Sequence, residues 1–435
     1  MKRAFLPIIV VVLLSLVACN TSVPDEISEP DEPESGEILL SEKQRVVLPD
    51  VTETDLATLV DGNTAFAWDL YQLLRQTDGN VFYSPYSISL ALAMTYAGAR
   101  GETEQQMADT LHFILPQDRL HPSFNSLDIE LSQRGEGAEG KDGEGFRLNI
   151  ANAIWGQKGY QFLPTFLDIL AENYGAGLRI LDFVKEPEES RITINDWASD
   201  ETEGRIEELI KKGLINASTR LVLTNAIYFN AAWEYPFEED RTCDGSFYLL
   251  SGDKVIIPMM TQTQSFGYTE GDGYEAVELP YDGGELSMVV LLPEAGKFEM
   301  FESSLDAQQT ETIVEALEPR QIALAMPQFE FESYYSLKEA LTMMGMPAAF
   351  SAGADFSGMT DNGGLCIGDV VHKAFLSVDE AGTEAAAATA VIINVIGMPE
   401  TPITAVTIDR PFILFIRDLK TGAILFVGRV LNPRA

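Results

Sequence analysis

The chain has 435 residues, of which 46% are hydrophobic, so it is long and apolar enough to bury one sizeable core. Its formal net charge of −38 leaves no basic surplus to neutralise phosphate groups. This balance excludes nucleic acid as a partner and argues against a polyanionic cofactor. We expect neither a cofactor nor a bound metal.

The N-terminus has the pattern of an export signal. Lys2 and Arg3 precede an apolar run at residues 4–17, which is too short for an ordinary membrane span and is typical of a signal peptide. The run ends in Leu-Val-Ala-Cys, with the cysteine at Cys19, and this sequence resembles a bacterial lipobox. We therefore predict that residues 1–18 are removed and that Cys19 is lipidated. The alternative is a plain secretory signal followed by an incidental cysteine.

These features predict an exported protein that is anchored to the cell envelope or stays extracellular, and that contacts the membrane only through its lipid. Residues 20–41 are rich in Pro, Glu, Asp and Ser, a composition too polar to pack into a core. We predict an acidic, flexible spacer over residues 19–55 and a globular domain over residues 56–435. Two further cysteines, Cys243 and Cys366, neither require nor forbid a disulfide, and we favour unpaired thiols.

Hydrophobic periodicity along the domain predicts a mixture of helices and strands. Amphipathic patterns favour helices near 56–75, 86–99 and 188–212. Strand-like runs lie near 148–155, 221–229, 286–292 and 370–378. Apolar runs at 412–416 and 424–427 flank a polar turn at 420–422, which is the pattern of a buried hairpin. The predicted fold class is α+β.

The sequence lacks the common catalytic motifs. It contains three histidines, and it has neither a His-Glu-x-x-His pair nor a Gly-x-Ser-x-Gly elbow. His372 lies in an apolar, strand-like run, where a hydrogen-bonded core histidine is the expected role. We therefore predict that the protein is not an enzyme.

A run of small residues follows the strand predicted at 370–378. Residues 379–390 read Asp-Glu-Ala-Gly-Thr-Glu-Ala-Ala-Ala-Ala-Thr-Ala and continue directly into a β-branched stretch at 391–396. If this segment entered a sheet, its side chains would alternate between the two faces of the sheet. One face would then carry Thr383, Ala385, Ala387 and Thr389, none of which is large or charged.

Residues 372–386 closely resemble the strand and hinge that lead into the reactive loop of the serpins. The resemblance continues through residues 80–89, 223–233 and 409–412, and it covers almost the whole chain after residue 55. It implies a monomeric serpin fold, in which helices surround three β-sheets and an exposed reactive loop lies near the C-terminus.

The resemblance also implies three groups of functional residues. The hinge of the loop consists of Glu380, Gly382, Thr383, Glu384, Ala385, Ala386, Ala387 and Ala388. A polar cluster called the shutter, beneath the sheet, consists of Ser84, Ser87, Asn225 and His372. The breach, where insertion begins, contains Trp233 and Gln328. Gln328 departs from the family pattern, because serpins often carry a lysine there that faces the hinge glutamate.

Counting along the family pattern from Glu380 places the reactive bond at Ile396–Gly397, with Val395 and Met398 as alternative specificity residues. An apolar β-branched residue at this bond points to elastase-like or subtilisin-like serine proteases, and cysteine proteases are a further class of target. The implied function is inhibition as a suicide substrate, by loop cleavage and insertion. The alternatives are a non-inhibitory serpin acting as a surface binding protein and an unrelated surface-adhesion lipoprotein.

Overall fold

The computed structural model describes residues 36–135, 138, 146–383 and 402–434. Nine α-helices lie within these ranges: α1 Glu53–Leu74, α2 Pro85–Tyr96, α3 Gly101–Leu111, α4 Gln117–Ser132, α5 Pro164–Tyr174, α6 Pro187–Glu201, α7 Phe298–Ser304, α8 Ala307–Glu315 and α9 Lys338–Met344.

Sixteen strands lie in the same described ranges. The first eight are β1 Ile38–Leu39, β2 Val81–Tyr83, β3 Arg147–Gln157, β4 Leu178–Leu181, β5 Leu221–Ala232, β6 Cys243–Tyr248, β7 Lys254–Gly271 and β8 Tyr274–Pro280. The others are β9 Leu286–Pro293, β10 Glu318–Pro327, β11 Phe329–Ser336, β12 Ile367–Val378, β13 Gly382–Thr383, β14 Thr404–Thr407, β15 Phe412–Asp418 and β16 Ile424–Val430. The α+β prediction is confirmed.

Two of the three predicted helices match the structure closely. α1 begins with a capping box between Thr52 and Asp55, and α2 begins with Ser84 as its N-cap and a proline in the first turn. The pattern at 188–212 extends too far, because α6 ends at Glu201. Glu203 and Gly204 both have positive φ angles, of 53° and 78°, and two such residues cannot continue a right-handed helix.

Seven of the described strands form the central sheet, in the order β1-β4-β3-β5-β13-β12-β11. Every residue of β5 is buried, because α2 packs on one face of the sheet and α6 on the other. A large apolar core lies on the α2 side, and a smaller one on the α6 side includes Val222 and Val371. This burial on both faces explains why β5 reads as a nearly continuous apolar run.

The other described strands form one nine-stranded sheet, with the path β14-β10-β7-β8-β9-β15-β16-β2 and with β6 paired to β7. The resemblance implied three sheets, whereas the described strands form two hydrogen-bonded sheets. The cause is the length of β7, whose 18 residues pair with β6 at the start, with β10 along the middle and with β8 at the end. The predicted hairpin is confirmed as β15 and β16.

The predicted boundary between spacer and domain at residues 55 and 56 is too late in the chain. β1 pairs antiparallel with β4, and the backbone N–H of Val46 donates to the carbonyl of Glu172 at 2.9 Å. The side chain of Arg45 forms an ion pair with Asp128 at 2.5 Å. Residues 36–46 are therefore part of the folded domain. Composition missed these contacts because they join a polar segment to distant elements.

Candidate functional site between two strands of the central sheet

The two middle strands of the central sheet are joined at one end and parted at the other. β5 and β12 pair in parallel from Leu221 opposite Ile367 to Ile227 opposite Ala374. Beyond Val378 the chain reverses and returns as β13, which lies between β5 and β12 and is antiparallel to both. The predicted hinge therefore begins inside the sheet.

The reversal is a tight turn built around Asp379. Its backbone N–H donates to the carbonyl of Gly382 at 3.0 Å, and its side-chain Oδ1 accepts from the backbone N–H of Ala381 at 2.9 Å. Aspartate commonly forms such turns because its short side chain reaches its own backbone two residues on. Gly382 is required for a different reason. A Cβ at that position would lie 2.1 Å from the carbonyl oxygen of Ala231.

Trp233 closes the breach over this turn. Its Nε1–H donates to the carbonyl of Asp379 at 3.1 Å, and its backbone N–H donates to the carbonyl of Ala381 at 2.8 Å. The indole stacks on the ring of Tyr281, with centroids 4.7 Å apart and planes at 10°. The Tyr281 hydroxyl in turn lies 2.9 Å from Oγ1 of Thr383, whose side chain is buried. One aromatic pair thus holds both the turn and the first inserted residues.

Glu380 is bound by neutral groups. Its carboxylate accepts from Nε2 of Gln328 at 2.5 Å and from Oγ1 of Thr242 at 2.5 Å. Its backbone carbonyl accepts from the N–H of Phe237 at 2.6 Å. Gln328 therefore meets the hinge glutamate as the resemblance implies, with an amide in place of the ammonium group that a lysine would supply.

The four predicted shutter residues lie together where β5 and β12 are still paired. His372 is opposite Asn225 on the neighbouring strand, and Asn225 is opposite Asn152 on β3. Ser84 and Ser87, at the start of α2, lie beneath this row. The side chains of all four predicted residues are fully buried.

The hydrogen bonds of the shutter specify one direction of donation. The backbone N–H of Ser84 donates to Nε2 of His372 at 3.1 Å, so Nε2 carries no proton. Nδ1–H of His372 then donates to Oδ1 of Asn225, and Nδ2 of Asn225 donates to the side-chain oxygens of Ser87 and Asn152. Burial lowers the pKa of His372 to about 3, which keeps the imidazole neutral. The cluster is neutral, and its amide and imidazole groups are paired.

Three contributing residues were not predicted. Asn152 completes the shutter, and Thr242 and Tyr281 hold the hinge. Asn152 could have been found, because it is a polar residue in the middle of the apolar run predicted as a strand at 148–155. Thr242 and Tyr281 have no such local signal, since their roles depend on contacts with residues more than 100 positions away.

Other predicted site residues lie outside the described residues: Cys19, Glu384, Ala385, Ala386, Ala387, Ala388, Ile396 and Gly397. Cys243 and Cys366 are unpaired, as predicted, with the first thiol exposed and the second partly exposed. In the described ranges, no helix has the length and apolarity to cross a membrane. The same part of the chain contains no group of acidic, histidine and cysteine side chains suited to a metal ion.

Comparison with known proteins agrees with this geometry. The family model described as "Serpin (serine protease inhibitor)" matches residues 61–433, and the chain belongs to this family. The family consists of protease inhibitors rather than enzymes. An uncharacterized serpin-like protein of Thermococcus kodakarensis is 41% identical over 377 residues, which cover 86% of each chain.

A second relative, the leukocyte elastase inhibitor of Sus scrofa, is 40% identical over 383 residues, covering 85% of this chain and 98% of the inhibitor. Among solved structures, the thermophilic serpin Tengpin in its native state superimposes with a TM-score of 0.79 at 28% identity. That superposition covers 90% of this chain and 97% of Tengpin. The serpin fold is therefore shown by both sequence and structure.

Proposed function

We propose that the protein inhibits serine proteases as a suicide substrate. The observation that carries this proposal is the position of β13, which lies between β5 and β12 and is already antiparallel to both. Further residues of the loop could extend β13 without any change in its direction. Insertion of a serpin reactive loop is an established case of β-strand addition that releases stored strain.

The proposed reaction begins when a protease attacks the bond between Ile396 and Gly397. Its nucleophile forms an acyl-enzyme with the carbonyl of Ile396, and the amine of Gly397 leaves with the C-terminal piece. The freed segment then extends β13 before water hydrolyses the ester. About 13 residues separate Thr383 from Ile396, so at ~3.3 Å each the protease moves ~43 Å. A displacement of that size would press the protease against the inhibitor and distort the catalytic site of the protease.

The shutter must open for this insertion to finish. A strand extended from β13 would separate β5 from β12, and this separation would break the contact between His372 and Asn225. Buried polar groups need partners in both arrangements, so the cluster can hold either the closed or the expanded sheet. We infer that the shutter stabilises the native state until the loop is cut.

The proposed targets are elastase-like proteases. The apolar, β-branched Ile396 suits the small hydrophobic pocket of such enzymes, and several relatives are named as leukocyte elastase inhibitors. Subtilisin-like proteases are a second class, and cysteine proteases a third. The inhibitor would act as a monomer, since one chain supplies both the loop and the sheet.

Incubation with a panel of elastase-like, subtilisin-like and trypsin-like proteases tests the proposal. We expect a complex that survives SDS, and a released C-terminal fragment whose first residue is Gly397. The Ile396→Arg variant should transfer complex formation to the trypsin-like enzyme, because the residue before the cut largely sets specificity. Cleavage by every enzyme without any complex would instead support a non-inhibitory binding protein.

We also propose that the protein is a lipoprotein attached through Cys19. The support is the short apolar run that ends in Leu-Val-Ala-Cys. Cys19→Ser should move the protein from the membrane fraction to the soluble fraction and leave inhibition unchanged, because a spacer separates the anchor from the folded domain. A variant that stays with the membranes would refute lipidation.

A further inference from the structure

A cavity of about 350 Å³ lies beside the outer part of the central sheet, where β4 begins. β4 pairs with β3 only from Ile154 to Gln157, so on that side the earlier part of β3 has no neighbouring strand among those described. Residues 174–177, which lead into β4, line the resulting space, and so does Leu40, which follows β1. We name this space the β4 cavity. Its volume lies at the lower end of the ~300–1,000 Å³ range of small-ligand sites.

Arg179 supplies a positive charge to the β4 cavity. It lies opposite Trp155 in the pairing of β4 with β3, and its Cζ is 5.3 Å from the ring centroids of both Trp155 and Trp197. Such cation–π contacts stabilise the charge but provide no acceptor for the five N–H groups of a guanidinium. Within the described residues, the Arg179 guanidinium has neither a hydrogen-bond acceptor nor a carboxylate at ion-pair distance.

The environment of Arg179 favours a carboxylate as its partner. Burial lowers the pKa of Arg179, although a guanidinium stays charged at neutral pH. Charges that are partly removed from water attract an opposite charge more strongly, because the solvent screens them less. The fork of N–H groups also matches the two oxygens of a carboxylate. The cavity is therefore suited to a ligand that carries this group.

Glu201 supplies a negative charge to the same cavity. It is the last residue of α6 and lies four positions after Trp197, so the two side chains share one face of the helix, one turn apart. Glu201 acts on Arg179 through space and raises its pKa, but the described contacts include no ion pair between them. Among the described residues that line the cavity, only these two are charged.

Much of the remaining wall is apolar. It includes Ile38 from β1, Met94 from α2 and Ile150 from β3. These side chains would bury an apolar group of a ligand, whereas Arg179 and Glu201 would bind charged groups of opposite sign at its other end. The cavity thus combines a positive group, a negative group and an apolar surface.

We propose that the β4 cavity binds an α-amino acid with an apolar side chain. The carboxylate of the ligand would accept hydrogen bonds from Arg179, its ammonium group would pair with Glu201, and its side chain would pack on the apolar wall. A ligand without net charge also avoids the repulsion that the formal net charge of −38 would exert on an anion. The proposal does not depend on the proposed inhibition of proteases.

Isothermal titration calorimetry of the full-length protein with L-phenylalanine tests the proposal. We expect saturable one-to-one binding, which Arg179→Gln should weaken at least ~10-fold because the charged hydrogen bonds to the carboxylate are lost. Lys185→Gln, which removes an exposed positive charge shortly after β4, is the matched control and should bind like the wild type. No binding to the wild type, or equal affinities of the two variants, would overturn the proposal.

Two analogues of the ligand test its two charged groups separately. Phenylalanine amide lacks the carboxylate and should bind at least ~10-fold more weakly than phenylalanine. 3-Phenylpropanoate lacks the ammonium group, and its loss should be smaller, about 3-fold, because Glu201 is exposed. If the amide binds as tightly as phenylalanine, Arg179 does not hold a carboxylate. If 3-phenylpropanoate does so, the assignment of a zwitterion is wrong.

A steric variant tests the site without removing either charge. Ala176 lines the cavity and is partly buried, so Ala176→Leu should occupy part of the space that the ligand needs. Its affinity for phenylalanine should fall at least ~5-fold relative to Ala217→Leu, a matched change at an exposed alanine. Melting curves of both variants check that they are folded. Equal affinities in two folded variants would contradict binding in this cavity.

Discussion

The two ends of the gap between β5 and β12 are held in different ways. At the shutter, the strands are directly paired, and a fully buried cluster of neutral groups around Asn225 and His372 lies beneath them. At the hinge, two residues of β13 separate the strands, and the Glu380 carboxylate is bound by one amide and one hydroxyl.

On the proposed mechanism, this difference predicts the order in which the strands of the sheet would separate. The bonds to the Glu380 carboxylate are only partly buried, so strand separation should begin at the hinge end and proceed towards the shutter. In that case the shutter would be the main barrier, because its buried groups cannot lose their partners without a large cost in free energy. On the proposed mechanism the native sheet would therefore be kinetically stable, and variants at the hinge and at the shutter can test this.

The largest expected effect is the difference in stability between intact and loop-cleaved protein. Cleavage allows β13 to extend between β5 and β12, which adds roughly ten backbone hydrogen bonds at about 1 kcal/mol each, or about 10 kcal/mol. The cleaved form should therefore melt far above the native form in differential scanning calorimetry. Identical melting curves would show that the loop stays outside and that the hinge is a static feature.

A charge at the hinge should abolish inhibition. Thr383 is buried and lies 2.9 Å from the Tyr281 hydroxyl, so Thr383→Arg buries an unpaired cation at a cost of about 3–5 kcal/mol. Proteases should still cut the loop, but SDS-resistant complexes should disappear. Thr312→Arg, at an exposed position on α8, is the control and should behave like the wild type. Wild-type amounts of complex from Thr383→Arg would contradict insertion of this residue.

Acid should weaken the shutter. Burial lowers the folded-state pKa of His372 to about 3 from its ordinary value of 6.5, so between these values the unfolded chain binds a proton that the folded protein excludes. Stability should therefore fall as pH drops from 6.5 towards 3, by about 2 kcal/mol at pH 5 for this one group. The buried His121, whose pKa is also lowered to about 3, adds a similar loss.

Thermal melts at pH 7 and pH 5 measure this effect. The variant His372→Gln should show a smaller fall in melting temperature on acidification than the wild type, because only His121 then contributes. Equal falls in the two proteins would mean that protonation of His372 is not what weakens the shutter.

The smallest expected effect concerns the neutral partner of Glu380. Gln328→Lys would replace the 2.5 Å amide contact with an ion pair, whose gain should stay below ~1 kcal/mol because the neighbouring hinge surface is partly open to water. The native protein should lose inhibitory activity more slowly on heating. Gln308→Lys, at an exposed position on α8, controls for the added charge alone. No difference between the two variants would show that other contacts secure the hinge.

Much of this site could be predicted from the sequence, because its residues lie in long, specific motifs. All four predicted shutter residues meet in the structure, and Gln328 contacts Glu380 as the resemblance implied. Helices and strands with strong periodicity were also predictable, since burial of one face imposes a repeat on local sequence. The ends of these helices and strands were less predictable. For example, α6 ends at Glu201, earlier than predicted.

What the sequence did not predict depends on contacts between distant residues. Asn152 joins the shutter only through the register between β3 and β5, and Tyr281 reaches Thr383 only because β8 ends beside the breach. The attachment of residues 36–52 was missed for the same reason, because β1 pairs with a strand about 140 positions later. For the same reason, the sequence did not predict that β7 joins two of the expected sheets into one, because this depends on all of the strand pairings.

The two edges of the central sheet bear on the solubility of the protein. A sheet edge offers unpaired N–H and C=O groups to other chains and can seed aggregation unless it is covered or charged. Here the edge of β4 is covered by the two-residue strand β1, and the opposite edge strand, β11, exposes Glu330 and Glu332. Edge-to-edge association is therefore disfavoured on both sides of the described sheet. On the proposed mechanism the sheet accepts a new strand in its interior, whereas its two margins are protected from accepting one.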